Sequence, residues 1–136
     1  MTGVARGIGS RGFSWAARLA SFRHAVRGIA FTLRSQHNAW IHLAATLVVC
    51  VAGWLLHVSA ADWRWLVIAI VLVWVGEAMN TAFEHLCDVV SPQFHVAVEQ
   101  AKDVAAGTVL ICAVGAVLIG VLTLWPYAVE TARLAL

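Results

Sequence analysis

Residues 66–88 read LVIAIVLVWVGEAMNTAFEHLCD. Leu66–Val75 is apolar throughout, as a membrane span is, yet the next turns carry Glu77, Asn80, Glu84 and Asp88. A charge at the bilayer centre costs about 2.5–3.5 kcal/mol on insertion scales, and less toward the boundary. Either this is no span, or its carboxylates have partners and a task. Helical periodicity favours the second. At about 100° per residue, Glu77, Asn80, Thr81, Glu84 and Asp88 fall within roughly a third of one helix circumference. With Trp63 at the outer interface, a rise of about 1.5 Å per residue puts Glu77 roughly 21 Å inward. That depth is the inner leaflet of an apolar core about 30 Å thick, with Glu84 near the inner interface. The polar stripe begins inside the membrane and emerges from it.

The rest of the chain agrees. Of 136 residues, 62% are hydrophobic and 12% charged, whereas a soluble domain covers its surface with about a quarter charged residues. This composition excludes an ordinary soluble enzyme and implies one integral membrane domain. Cys50, Cys87 and Cys112 are scattered without metal-ligand spacing and read as small apolar thiols. The first arginines are not followed by the apolar core and cleavage site of a signal peptide.

Residues 1–12, rich in Gly, Ser and Arg, are expected to be flexible. A membrane-embedded domain follows over residues 13–126, and a C-terminal tail over 127–136. From Phe13 to Leu33 an apolar helical face alternates with Arg18, Arg23 and Arg27, with Arg34 just beyond. This suits a helix lying in the interface, although a soluble amphipathic helix shows the same pattern. Three spans are expected: Ile41–Leu56, Trp63–Phe83, and Val104–Trp125 closed by Pro126. Trp40, Trp54, Trp63, Trp65 and Trp125 sit near their ends, where an amphipathic ring prefers the interface. The fold class is therefore all-α integral membrane, with three transmembrane helices plus an N-terminal amphipathic surface helix. Six of the nine basic residues precede the first span, so the N-terminus is expected on the cytoplasmic side of a bacterial inner membrane, with the 85–103 connection on the same side.

Acidic groups at the boundary of lipid and water suit hard cations such as Mg²⁺, and a carboxylate there can take a proton from a hydroxyl. Phosphoryl transfer to a lipid and an ion or proton pathway both remain open on this pattern. Lys102–Asp103 opens the third span, and Lys102 can meet a phosphate as a point charge. There is no GxxxxGK[ST] or GxGxxG loop, so a nucleotide site would be unconventional.

The stretch EAMNTAFEHLCDVVSPQFHVAVEQAKDVAAGTVL resembles the signature of the prokaryotic diacylglycerol kinase family, which includes undecaprenol kinases. The family pattern is E-x-x-N-[ST]-A-x-E-x-x-x-D, then a short loop with His, then A-K-D. Glu77, Asn80, Thr81, Ala82, Glu84, Asp88, His95, Ala101, Lys102 and Asp103 match it. SFRHAVRGI and NAWIH resemble the family's surface-helix and first-span signatures, so the likeness covers about residues 21–125. It implies a homotrimer with sites shared between protomers, ATP as co-substrate, Mg²⁺ as cofactor and a membrane lipid alcohol as acceptor, with no nucleic-acid partner. It casts Glu77 as general base and Glu84 as metal ligand. Asn80 would orient the site, and His24, Glu84, Gln93, His95, Lys102 and Asp103 would contact the nucleotide.

One departure stands out. The family usually carries a second metal-binding glutamate before the first span, where this chain has Gln36; an amide oxygen can ligate but adds no charge. N-x-x-I-H, Asn38 to His42, resembles the undecaprenol branch more than the diacylglycerol branch. His42 itself reads as a polar group at the span boundary. The alternatives to a lipid kinase are a small non-enzymatic ion-binding or transport protein and a catalytically weakened relative.

Overall fold

The structure, a computed structural model, describes residues 13–134; the flexible segment expected over 1–12 lies outside them. Four helices follow one another: α1 (Trp15–Ser35), α2 (His37–Leu55), α3 (Ala60–Val90) and α4 (Val96–Leu134). Of these, α2, α3 and α4 are long and apolar enough to cross a membrane.

Each boundary has a local cause. Ser14 caps α1 by accepting the Ala17 N–H at 3.4 Å. Gln36 alone separates α1 from α2. Its extended backbone (φ −113°, ψ 122°) ends one helix and starts the next, and its side chain makes no capping bond. That leaves the amide free to reach elsewhere. At the other end of α2, His57 takes a left-handed conformation (φ 52°). Val58 N–H then bonds Gly53 O at 3.0 Å and His57 N–H bonds Trp54 O at 3.2 Å, the paired closure of a Schellman turn. Ser59 starts α3, accepting the Asp62 N–H at 3.2 Å while its hydroxyl donates to Asp62 Oδ2 at 3.0 Å.

The connection between α3 and α4 is shorter than the expected 85–103. Helix α3 runs on to Val90, Ser91 and Pro92 stop it, and α4 starts at Val96. The expected break at Pro126 is also absent, for α4 continues through this proline to Leu134. Proline removes one helical hydrogen bond and crowds the preceding turn. What holds the helix beyond it is the next residue. Tyr127 donates its hydroxyl to Asp62 Oδ2 at 2.5 Å and accepts the Ser59 N–H at 3.2 Å, fastening α4 to the cap of α3.

The interior is thin. The buried apolar side chains among the described residues are Ala39, Val58, Leu66, Ala69, Val73 and Val109, while Leu47, Val51, Val71, Leu118 and Leu122 on the spans are exposed. In water such a surface would aggregate; in lipid it faces its solvent. Helices α3 and α4 are the most closely packed pair. Helix α1 exposes nearly its whole length, burying only Thr32, and it meets α3 through an edge-to-face contact of Phe31 with His85 at 4.8 Å.

Asp62 precedes the apolar run that opens at Trp63. The Tyr127 hydroxyl, then the Ser59 hydroxyl and the Arg64 charge hold its carboxyl below the usual aspartate range, against a smaller opposing effect of burial. Because the folded value is depressed, this contribution to stability is present above the unfolded value near 3.9 and lost as pH falls through the folded one. Y127F should therefore lower hydrogen-exchange protection of amides 127–134 at neutral pH. Wild type and Y127F should converge in acid below the ordinary aspartate range; equal protection at neutral pH would show that the Tyr127–Asp62 bond does not hold this end.

Candidate active site

The buried face of α3 is Leu66, Ala69, Val73, Gly76, Glu77, Asn80 and Thr81, spaced by the three- and four-residue steps of a helical packing seam. The polar residues continue the seam that the apolar ones begin. Gly76 makes this possible. A Cβ there would lie 3.3 Å from Cys112 Sγ and 3.7 Å from the Val109 Cα, so α4 approaches α3 closely beside Glu77.

Glu77 is 1% exposed, and neither carboxylate oxygen has a hydrogen-bond partner. Across from it stands His42 of α2, whose Nε2 lies 3.6 Å from Oε2. Thr81 spends its hydroxyl on the Glu77 carbonyl at 2.8 Å, which straightens out its own burial but leaves the carboxylate open. An unpartnered carboxylate this deep is costly and suits a group that exchanges a proton.

Two turns further along α3, Glu84 is held on both oxygens. Asn80 Nδ2 donates to Oε1 at 3.1 Å, and Gln36 Nε2 donates to Oε2 at 2.8 Å. The single-residue link between α1 and α2 thus delivers Gln36 to the stripe. Asn80 Oδ1 remains buried and unpartnered. One turn beyond, Asp88 pairs with Lys102 of α4 at 2.9 Å, a partly exposed bridge. The stripe read as one surface is thus divided in three: Glu77 faces His42 without a hydrogen bond, Glu84 is held by Gln36 and Asn80, and Asp88 pairs with Lys102.

The remaining expected residues are not gathered here. His24 is exposed on α1, Gln93 and His95 are exposed on the short connection, and Asp103 is exposed on α4. His95 Nδ1 accepts the Ala97 N–H at 3.2 Å, starting α4. Sequence reasoning missed His42 as a partner of Glu77. Counting outward from the tight His57–Ser59 turn puts the two within about one helical turn of the same level, a signal that could have found it. It also missed the bond from Trp74 Nε1 to Thr46 Oγ1, 3.1 Å, which ties α2 to α3.

Among the described residues no three His, Cys, Asp or Glu side chains gather as a ligand cluster. Glu84 supplies one carboxylate, to which Gln36 and Asn80 turn amide N–H groups; rotated, each amide offers an oxygen instead. A small hard cation that keeps waters and leans on substrate phosphates needs no full protein cage, so this oxygen set fits Mg²⁺.

A three-span helical protein with an enclosed, unpartnered carboxylate facing a polar cluster at the membrane boundary has the layout of an integral membrane enzyme acting where lipid meets water. Comparison with known proteins gives the family. The model for "Prokaryotic diacylglycerol kinase" matches residues 23–124. The chain is 38% identical over 106 residues to the undecaprenol kinase of Bacillus subtilis (strain 168), covering 78% of this chain and 86% of that one. It is 38% identical over 109 residues to a diacylglycerol kinase of Synechocystis, covering 79% and 62%. It is 29% identical over 114 residues to that of Escherichia coli (strain K12), covering 78% and 93%. The chain belongs to the prokaryotic diacylglycerol kinase family and is a membrane lipid kinase; the ion-binding or transport alternative falls away.

The fit at Gly76 can be tested by volume. G76A asks only for a small shift of the Cys112 side chain and should cost about 1 kcal/mol or less, whereas G76V overpacks the seam by about 1–3 kcal/mol. G76V should lower the thermal midpoint in detergent and the kinase rate together. A fully active, unshifted G76V would show that α3 and α4 do not need this approach.

Proposed function

We propose that the chain transfers the γ-phosphoryl group of ATP to the hydroxyl of a lipid alcohol at the cytoplasmic interface of the bacterial inner membrane, with undecaprenol preferred over diacylglycerol. The observation that carries the reading is Glu77, a fully enclosed carboxylate with both oxygens free. In a lipid kinase, that is the group suited to take the hydroxyl proton as the lipid oxygen attacks phosphorus. Glu84 and Gln36 hold Mg²⁺, and Asn80 orients Glu84. When bound, Mg²⁺ neutralises charge on the phosphate oxygens. Glu77 and Glu84 are two turns apart, about 10 Å along the axis, which leaves room for a phosphate chain between base and metal.

Lys102, Asp103, Gln93, His95 and His24 contact the nucleotide. Lys102 already bonds Asp88, so a phosphate competes for an ammonium held near the site. The exposed position of His24 on α1 and the extent of exposed apolar surface support a homotrimer that completes each site between protomers. The arginines of α1 support a surface helix against anionic head groups and a cytoplasmic N-terminus. The undecaprenol preference rests on Asn38–His42 and on likeness to the Bacillus subtilis relative.

The test is incubation of the purified protein with γ-labelled ATP, Mg²⁺ and each lipid alcohol. Labelled undecaprenyl phosphate should exceed labelled phosphatidate, and a reversed preference would assign the other branch. E77Q should lose about 10²–10⁴-fold in kcat while staying folded; wild-type turnover in E77Q would remove Glu77 from the base role.

Gln36 gives a separate prediction. Q36E adds a ligand charge and should lower the Mg²⁺ concentration at half-maximal rate by about tenfold. Unchanged Mg²⁺ dependence would show that residue 36 is not at the metal.

A further inference from the structure

The reaction outlined above gives His42 no part, yet the structure builds the pair of His42 and Glu77 with some care. The register of α2 against α3 is set one turn from His42. Trp74 of α3 donates Nε1–H to Thr46 Oγ1 at 3.1 Å, and the same Thr46 hydroxyl donates to the His42 carbonyl at 2.8 Å. A rotation of α2 that would swing the imidazole away from α3 breaks this connection. Trp74 also lies one turn from Glu77 on α3, so the tie and the pair share a face.

The two side chains lack other partners. His42 Nε2 and both Glu77 oxygens are buried without hydrogen bonds, and Nε2 stands 3.6 Å from Oε2. This is just beyond hydrogen-bond length, and catalytic contacts of this kind commonly tighten only when substrate is bound. Glu77 is enclosed by the protein, and the imidazole is the donor within reach. His42 also faces outward. It lines an apolar groove of about 550 Å³ between α2, α3 and α4, with Thr46, Leu66, Val73 and Val117, whereas Glu77 does not line it.

We propose that His42 is a positioning residue for phosphoryl transfer: its Nε2–H holds Oε2 of Glu77 and turns Oε1 toward the lipid hydroxyl. This rests on the reading of Glu77 as the base. In the step, the lipid O–H proton passes to Glu77 Oε1 as the lipid oxygen forms its bond to the γ-phosphorus. The bond from that phosphorus to the β,γ-bridging oxygen breaks, and ADP leaves with the electron pair. His42 remains the neutral Nε2–H tautomer throughout, and its contribution is the orientation of the carboxylate. A misplacement of about 1 Å in such a group can cost on the order of 10²-fold in rate.

Three variants of the full chain test this, assayed in detergent–lipid micelles with γ-labelled ATP, Mg²⁺ and undecaprenol. H42M, close in volume but without an N–H, should lose about 100-fold in kcat with the KM for ATP unchanged. H42Q, whose amide N–H can reach Oε2, should recover to within about tenfold of wild type. If H42M does not fold, as judged by its thermal midpoint and size-exclusion profile, H42N takes its place, its shorter amide falling short of Glu77 with the same expected loss. The proposal is overturned if the donor-free variant turns over like wild type, if H42Q is as slow as that variant, or if KM for ATP rises in step with the loss of kcat. E77Q separates the two readings. An inactive E77Q beside a fully active H42M leaves the base in place and removes His42; an active E77Q removes both.

Discussion

A carboxylate inside an apolar membrane has no water to solvate it, and the arrangement of this molecule follows from that condition at Glu77. The residue cannot face lipid without a cost of the order of that for any charge at depth, so it has to lie in a helix–helix seam. A seam that admits a glutamate needs space on one side and contact on the other. Gly76 provides the contact, bringing the α4 backbone near Val109 against α3. His42 provides a polar neighbour on the opposite helix. Leu66, Ala69 and Val73 carry the same seam through the N-terminal half of α3, where no polar group has to be enclosed. The small set of buried apolar residues then makes sense, because lipid rather than a large core solvates the remaining faces.

The helix ends show the complementary rule. Where water is available, polar groups gather and bind the elements together. At one end of α3, Ser59, Asp62 and Tyr127 form a knot that joins the cap of α3 to α4 beyond Pro126. At the other, Lys102 reaches Asp88 and Gln36 reaches Glu84. Exposed ion pairs contribute little stability by themselves. The value of these contacts is geometric, since each ties α3 to another part of the chain and so sets the level at which the buried seam is held.

The helices and the stripe were legible in the sequence because both are local. Apolar run length and 3.6-residue periodicity depend on neighbours in the chain, and they placed Glu77, Asn80, Thr81, Glu84 and Asp88 on one face. The division of that face was not legible, because the partners come from other helices: His42 for Glu77, Gln36 for Glu84, Lys102 for Asp88. His42 was read as a boundary group since nothing local distinguishes a histidine that meets lipid head groups from one that meets a carboxylate. Pro126 misled for a related reason. Its local rule is to end a helix, and the bond that overrules it comes from Asp62, more than sixty residues away in the chain.

The departure at Gln36 has a physical consequence for Glu84. A glutamate in the place of Gln36 would set two carboxylates against each other across the 2.8 Å contact with Glu84, an arrangement that only a cation relieves. An amide can donate to Glu84 when no cation is present and, by rotating, offer its oxygen when one arrives. The amide of Gln36 and that of Asn80 together satisfy both oxygens of Glu84 within the chain. On the proposed reading, a cation at Glu84 would meet one unit less of ligand charge and would have to displace the two hydrogen bonds that Glu84 accepts. On the proposed reading, the phosphates of the nucleotide would then have to balance more of the cation's charge than they would beside two carboxylates.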